Sequence, residues 1–535
     1  MANGQPLPVW TVDLARLRQD ARAAFERGDL DGAGRLCTRI LGQAADDFDA
    51  LHLLGLVHLQ RRRVGEALHV LQAALKVDPA SADVLSNLGL ALQADRRHDE
   101  AIALYRRALQ RVPGHPEILY NLGNACLELG RLDEALASYD EVLKGRADHV
   151  GCLVNRGNLL LRLNQPEAAL VSYDAALAIM PRHPQILTNR GHALRRLDRP
   201  ADALVDLGLA MAAAPDFAEA HFEAAMAHLT LGDFAAGWKQ YEWRWKTGAF
   251  AWRRRPFRAS PWLGEQPVAG KTILLHAEQG LGDTIQFIRY APLLARQGAR
   301  VVCEVQPPLL ALLSGIEGVT LVGAGASLPA FDLHCPLMSL PLAFGTRPET
   351  VPDALPYLQA PHERERAWRG RLPPLVRPRI GLVWSGSPTH HNDRNRSLPL
   401  AKLAGLIAET DVSWISLQTE VRPSDADALR GLPNLVHFGS ELRDFADTAA
   451  VIAALDAVVS VDTSVAHLSG ALGQRTMILL PHAADFRWMR GRSDTPWYQT
   501  ASLLRQAGFG DWDGVIERLR GEIGCLARKA QERAA

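Results

Sequence analysis

Several things are scarce in this 535-residue chain, and each scarcity excludes something. The six cysteines (37, 126, 152, 303, 335 and 525) lie far apart with no C-x-x-C pair, which argues against a zinc site or a disulfide framework and suits a reducing compartment. Neither sign of charge is in excess, with 59 basic and 59 acidic residues, so no global field points to nucleic acid or to an anionic membrane. No run of about 18 apolar residues occurs. The start, MANGQPLPVWTVDLARL, lacks the basic opening and apolar core of a signal peptide, so a cytoplasmic, soluble protein is expected. The length exceeds the roughly 250–300 residues at which single cores stop growing, and three or so domains are expected.

What is abundant is repetition. At a shift of 34 residues, Gly55, Gly89, Gly123, Gly157 and Gly191 align, as do Ala33, Ala67, Ala101, Ala135, Ala169 and Ala203. Tyr105, Tyr139, Tyr173 and Tyr241 share another register, and Pro79, Pro113, Pro181 and Pro215 close units where a helix must stop. Small residues at a fixed period mark places where two helices cross closely. With leucine-glycine early in one helix (54–55, 88–89, 122–123) and EA opening the next (66–67, 100–101, 134–135), residues 13–249 resemble the tetratricopeptide repeats, about seven helix pairs with degenerate end units.

One column does not look like packing. Asn87, Asn121, Asn155 and Asn189 also recur at 34, on the first helix of each pair. The resemblance puts that helix on the concave surface. There the strip is similar to the asparagine ladder in the repeats of the O-linked N-acetylglucosamine transferases, whose amides hold an extended peptide backbone. A side-chain amide both donates and accepts, so it matches any peptide bond. The alternative is that each Asn bonds a neighbouring repeat.

Residues 250–270, with the run RRRPFRASPWLGEQPVAG, are rich in Arg, Pro and Gly and mark a linker. The preceding Trp238, Tyr241, Trp243 and Trp245 are expected to dock the last repeat on the domain beyond the linker. In that part of the chain, short β-rich runs alternate with helical ones: TILLH, ARVVCEV, VTLVG, then RIGLVWSG, VSWISLQ, LVHFG, DAVVSV and TMILLP. Strands separated by helices imply parallel sheets. Two such sets, broken near 360–378, predict two Rossmann-like lobes facing a cleft, at 271–375 and 376–535.

Three turns, each after a strand, carry candidate chemistry, because ligands of parallel sheets gather beyond the strands' carboxyl ends. The first, EQGLGDTIQFIRY (278–290), has the glycines Gly280 and Gly282 but fails the dinucleotide fingerprint. Ile285 stands where a third small residue belongs, although Glu304 could have served as the ribose acid. An acid at that helix start would repel a pyrophosphate, and Asp283 instead reads as a general base, or as a plain helix cap. The second, WSGSPTHHNDRNRSLPL (384–400), offers Arg394 and Arg396 as a phosphate clamp, or is an exposed basic loop. His390 and His391 have no ligand set to complete a metal site. In the third, VDTSVAHLSGALG, Asp462 and Thr463 can cap a helix whose free N–H groups at Asp462–Ser464 hold a diphosphate or ribose, with His467 on the same side as Thr463 or acting structurally.

Together these pieces and RWMRGRSDTPWY resemble the heptosyltransferase-like glycosyltransferases of the two-lobed GT-B fold, over roughly 260–510, and more closely bacterial members with tetratricopeptide repeats in front. The resemblance implies an acceptor in the N-terminal lobe, a nucleotide-sugar donor in the C-terminal lobe, no metal and no separate cofactor. It puts the catalytic base on Asp283 and the nucleotide-binding turn on Asp462, Thr463 and His467. The family's phosphate-neutralising lysine has no identical match, and Arg396 is nearest. The expected function is inverting transfer of a sugar from a nucleoside diphosphate to a hydroxyl, on a protein or peptide held in the concave face of the repeats. The competing expectation is an interaction scaffold whose lobes no longer catalyse.

Overall fold

The computed structural model describes residues 13–372, 378–390 and 392–534. Residues 373–377, in the expected break between lobes, and His391 lie outside them. Among the described residues, fourteen α-helices run from Leu14 to Tyr241, in antiparallel pairs joined by short turns. The alanine column is fully buried, Ala33 through Ala203. The glycine column has a definite steric reason. A Cβ on Gly89, Gly123 or Gly157 would come 2.5–2.6 Å from the ring of Tyr105, Tyr139 or Tyr173, on the second helix of the same pair. At Gly55 and Gly191 the facing side chains are Leu71 and Leu207.

A second 34-residue column sets the turn inside each pair. Gly28, Arg62, Arg96, Gly130, Asn164, Asp198 and Gly232 all have positive φ, from 53° to 84°. Each ends the first helix of its pair in the left-handed conformation that closes helices. Gly adopts it without strain and Asn with little, whereas a side chain such as Arg is strained.

Packing divides the chain between Arg190 and Gly191. The first unit is helical. The second contains the helices Pro200–Ala213, Ala218–Leu231 and Phe234–Tyr241 together with both sheets. Its main core joins Leu229, Phe234, Trp238 and Tyr241 to Ile273, Phe287, Phe486 and Trp497. Trp238 meets Tyr241, Phe287, Phe486 and Trp497 edge-on at centroid distances of 5.7–6.5 Å. Trp238 and Tyr241 thus dock the last helix, whereas Trp243 stacks on His221 at 3.8 Å and Trp245 lies under Arg244 at 4.3 Å.

Eleven strands among the described residues form two sheets. The first comprises β1 (Ser260–Pro261), β2 (Thr272–His276), β3 (Arg300–Val305), β4 (Val319–Gly323) and β5 (Leu333–Pro336), in the order β1-β5-β2-β3-β4. The second comprises β6 (Arg379–Val383), β7 (Ser413–Ser416), β8 (Leu435–His437), β9 (Ala457–Val461), β10 (Thr476–Leu480) and β11 (Ala501–Arg505), in the order β11-β10-β9-β6-β7-β8. Every pairing is parallel, with β2 Leu274 opposite β3 Val302 and β6 Leu382 opposite β9 Val459. The second order is that of a doubly wound dinucleotide-type sheet. It reverses between β6 and β9, and the first sheet reverses between β2 and β5. A crevice opens at such a reversal because the connections leave to opposite faces. The turns after β2, β6 and β9 are the three singled out above. No helix among the described residues is long and apolar enough to cross a membrane.

The two glycine columns predict different penalties for one substitution. Gly130→Ala meets no atom within 4 Å and is strained only by its φ of 72°, at about 1–2 kcal/mol. Gly123→Ala pushes into Tyr139 and costs about 1–3 kcal/mol by overpacking. Denaturation followed by circular dichroism separates the two causes, since Gly130→Asn should recover most of the loss and Gly123→Asn none of it.

Candidate functional site

The turn after β2 enters the helix Leu281–Phe287, and Asp283 stands three residues into it. Its Oδ2 accepts the Gly280 N–H at 2.7 Å, which caps the helix, and its Oδ1 accepts from the Arg487 guanidinium. Asp283 is therefore a cap and also a member of an ion pair, with 19% of its side chain exposed. Burial raises its pKa against the pull of Arg487. Gly282 is small for a reason outside its own loop. A Cβ there would lie 2.8 Å from His467 Cδ2 and 3.4 Å from the Ser464 Cα. The starts of two helices, one from each sheet's crevice, touch at that glycine.

The turn after β9 leads into Ser464–Ala471. Thr463 does not cap this helix as expected, because its hydroxyl is turned to Ser460 at 3.1 Å and the helix start lacks a side-chain cap. His467 is 5% exposed, bonds Tyr498 Oη through Nδ1 at 2.9 Å and lies against Trp488. Burial, with Arg487 second, lowers its pKa to about 3, so it is a neutral packing element between the two turns. Asp462 is pushed upward by burial and by Asp485, with Arg396 opposing.

The turn after β6 is braced from below. Gln418 Oε1 accepts from the N–H groups of Trp384 and Ser385, and Ser397 Oγ accepts from Gly386 N at 2.9 Å. Arg396 reaches across the sheet's reversal and donates to the Asp462 carbonyl at 2.9 Å. Gly386 makes room for it, since a Cβ there would stand 2.5 Å from a guanidinium nitrogen. The Arg396 Nε is buried without a hydrogen-bond acceptor among the described residues, 3.9 Å from Asp393 Oδ1. Arg394 does not join it. The two flank one residue of the short helix Asp393–Arg396, which turns them to opposite sides, and Arg394 is exposed. His390 is a turn residue whose Nδ1 accepts from Asn392 N at 3.2 Å.

Two groups were not assigned from sequence. Arg487, buried to 7% exposure, bonds Asp283, Gln286 Oε1 at 2.8 Å and Asp485 at 2.8 Å. Burial alone would raise Asp485, but Arg487 holds it below the usual carboxylate range. The only signal was the RWMRGRSDTPWY stretch that Arg487 opens. The second group is Arg244, fully buried, which donates to Glu278 at 3.0 Å, Glu242 at 2.6 Å and Ser339 Oγ at 2.7 Å. It ties the end of the helical array to the residue that opens the glycine turn. Burial raises Glu278 to about 7 even against Arg244.

A tetratricopeptide-repeat model matches residues 52–116, 87–149 and 154–216. Those residues are tetratricopeptide repeats. Protein FlbA of Caulobacter vibrioides is 25% identical over 334 residues, covering 57% of this chain and 54% of that protein. The chain thus spans about half the length of the curated relative it matches. Among solved structures, a tetratricopeptide repeat protein from Parabacteroides merdae is 17% identical over 43% of this chain and 91% of its own, with a TM-score of 0.36. The pilF protein of Pseudomonas aeruginosa is 23% identical over 38% and 92%, with a TM-score of 0.34.

Within the tetratricopeptide repeats, Asn87, Asn155 and Asn189 of the asparagine column bond the neighbouring repeat. Asn87 Nδ2 bonds His52 Nε2 at 2.8 Å. Asn155 Nδ2 donates to Tyr120 Oη at 3.0 Å and to Asn124 Oδ1 at 2.9 Å, and Asn189 Nδ2 donates to Asn158 Oδ1 at 3.0 Å. The buried tyrosines Tyr139 and Tyr173 donate to the same Asn124 and Asn158 oxygens at 2.7 Å. Asn121 instead lines a groove of about 490 Å³ with Gln93, Arg96, Asn124 and Glu128.

The neutral burial of His467 predicts a pH dependence. An unfolded histidine takes up a proton below about 6.5 and the folded one only near 3. Its stabilising contribution is therefore present above pH 6.5 and lost as pH falls toward 3. Between pH 8 and pH 5 this removes about 2 kcal/mol. Denaturant titrations of wild type and His467→Gln at both values should differ in pH sensitivity by that amount, with the variant the flatter.

Proposed function

We propose that the two-sheet part of the chain is a GT-B-type glycosyltransferase that moves a sugar from a nucleoside-diphosphate sugar to a hydroxyl, with inversion and without a metal, on a protein recruited by the repeats. The observation that carries this reading is the convergence of three turns from the reversal points of two parallel sheets. Gly282 touches Ser464 and His467, Arg396 reaches Asp462, and Arg487 reaches Asp283.

The chemistry follows from the charges. The acceptor oxygen forms a bond to the sugar's anomeric carbon while that carbon's bond to the diphosphate breaks, so a proton must leave the hydroxyl and negative charge must grow on the phosphate. Asp283 takes the proton. A carboxylate with a raised pKa is the better base, because proton transfer to it runs downhill for more of its course. Arg487 remains compensated when Asp283 becomes neutral, because Asp485 is its second anion. The departing diphosphate is met by Arg396, whose Nε is buried without an acceptor, and by the uncapped helix start at Asp462–Ser464.

A second reading rests on the tetratricopeptide repeats, which suit a protein-interaction scaffold whatever the lobes do. The ion pair between Asp283 and Arg487 would then be an interlobe lock. Transfer by the wild-type chain separates the two readings, and Asp283→Asn, which keeps the side chain's size and its acceptor for Gly280, tests the base. Under the transferase reading, nucleotide binding persists while transfer falls by about 10²–10⁴-fold, the usual worth of a general base. Unchanged transfer would return Asp283 to the role of a cap.

A further inference from the structure

Residues 251–258, AWRRRPFR, form a strap between the last helix and the first sheet that the proposed transfer does not use. Its inward residues are fastened. Arg253 Nη1 donates to the Glu278 carbonyl at 2.8 Å, and Arg255 pairs with Glu304. Phe257 sits edge-on against His276, Phe331 and His334 at 5.5, 5.2 and 4.9 Å. Its outward residues are not. Arg254 and Arg258 are exposed, no carboxylate among the described residues pairs with either, and Trp252 is 73% exposed beneath the Arg253 guanidinium at 4.8 Å. Arg244 and Arg487, by contrast, are buried among acids.

Two imidazoles lie against the inner side of the strap. Burial lowers the pKa of His334, and Arg254 and Arg255 lower it further. His276 is held near 3, chiefly by burial, with His334 and Arg255 adding to it. Both imidazoles stay neutral.

We infer that the strap is a docking surface for an acidic stretch of peptide, held by Arg254 and Arg258 with Trp252 as an apolar shelf. A peptide is favoured over a lipid surface on two grounds. The strap follows directly on an array of a kind that takes peptides and proteins, and its three exposed arginines without a carboxylate partner, Arg253, Arg254 and Arg258, fall short of the about four to eight basic residues that an anionic membrane patch uses. An exposed tryptophan stacked with arginine is the usual furniture of a protein-binding surface. Because Arg253 holds the carbonyl of Glu278, a peptide on the strap lies beside the entry to the glycine turn. Under the proposed transfer, which this part of the inference rests on, residues flanking the modified hydroxyl are acidic.

The test uses the full chain and no sugar donor, so it stands apart from whether transfer occurs. Fluorescence anisotropy is measured with a labelled peptide of alternating Glu and Ser, with its Gln and Ser counterpart, and with phosphatidylglycerol vesicles. Wild type should prefer the acidic peptide, and the preference should shrink as salt rises. Arg254→Gln/Arg258→Gln should weaken binding about tenfold, the scale of two partly screened ion pairs, while Arg107→Gln/Arg111→Gln on the repeats leaves it unchanged. Equal binding by the strap variant and wild type, or equal binding of both peptides, overturns the inference. So does strap-dependent capture by vesicles with no binding of the acidic peptide. Strap-dependent peptide binding by a chain with no transferase activity would sink the proposed function and leave the docking surface standing.

Discussion

A buried guanidinium needs anions or hydrogen-bond acceptors around it, and Arg487 draws them from both sides of the crevice. Asp485 comes from its own segment, and Asp283 and Gln286 come from the first helix of the other lobe. Taking a charge out of water costs several kcal/mol, and a charge stranded by loss of its partner destabilises by about 3–5 kcal/mol. Beside the core that the two sheets share, this cation joins them by drawing partners from both. The same constraint explains the neighbours. Gly282 lets the helix starts touch, the neutral His467 fills the space between them without adding charge, and Trp488 closes over His467.

The helical half obeys a simpler constraint, the fit of one side chain into one missing side chain. Gly89, Gly123 and Gly157 exist because Tyr105, Tyr139 and Tyr173 occupy the space their side chains would need. The tyrosine hydroxyls then have to be satisfied inside the array, and Gln93, Asn124 and Asn158 accept from them at 2.5–2.7 Å. Asn155 and Asn189 donate to those same asparagine oxygens from the next repeat. A polar column that resembles a ligand ladder is thus also the hydrogen-bonded seam between repeats, which limits how many amide N–H groups remain for a peptide.

These two constraints differ in how plainly they are written in the chain. A steric fit repeated every 34 residues is visible because the same residue types recur. The turns after β2, β6 and β9 are visible because glycine, capping residues and a strand-like run stand side by side. A cross-lobe ion pair leaves no such trace. Asp283 and Arg487 are 204 residues apart, and nothing local marks one as the other's partner. Arg244 stands among the docking aromatics, and of its two acids only Glu242 is near in sequence, while Glu278 comes to it on folding. The divergence of Arg394 and Arg396 follows from helical periodicity, because Asp393–Arg396 forms a short helix within a stretch whose polar residues mark a loop.

The proposed transfer requires that the crevice between the sheets receive a diphosphate. Calorimetric titration with nucleoside diphosphates and the matching nucleosides, on wild type and Arg396→Ala, tests it most directly. One diphosphate should bind wild type more tightly than its nucleoside, and Arg396→Ala should remove most of that advantage while leaving nucleoside affinity nearly unchanged, because under the proposed transfer the guanidinium would bond phosphate oxygens and not the base. Equal losses for both ligands, or no binding of any nucleoside diphosphate to wild type, would contradict it.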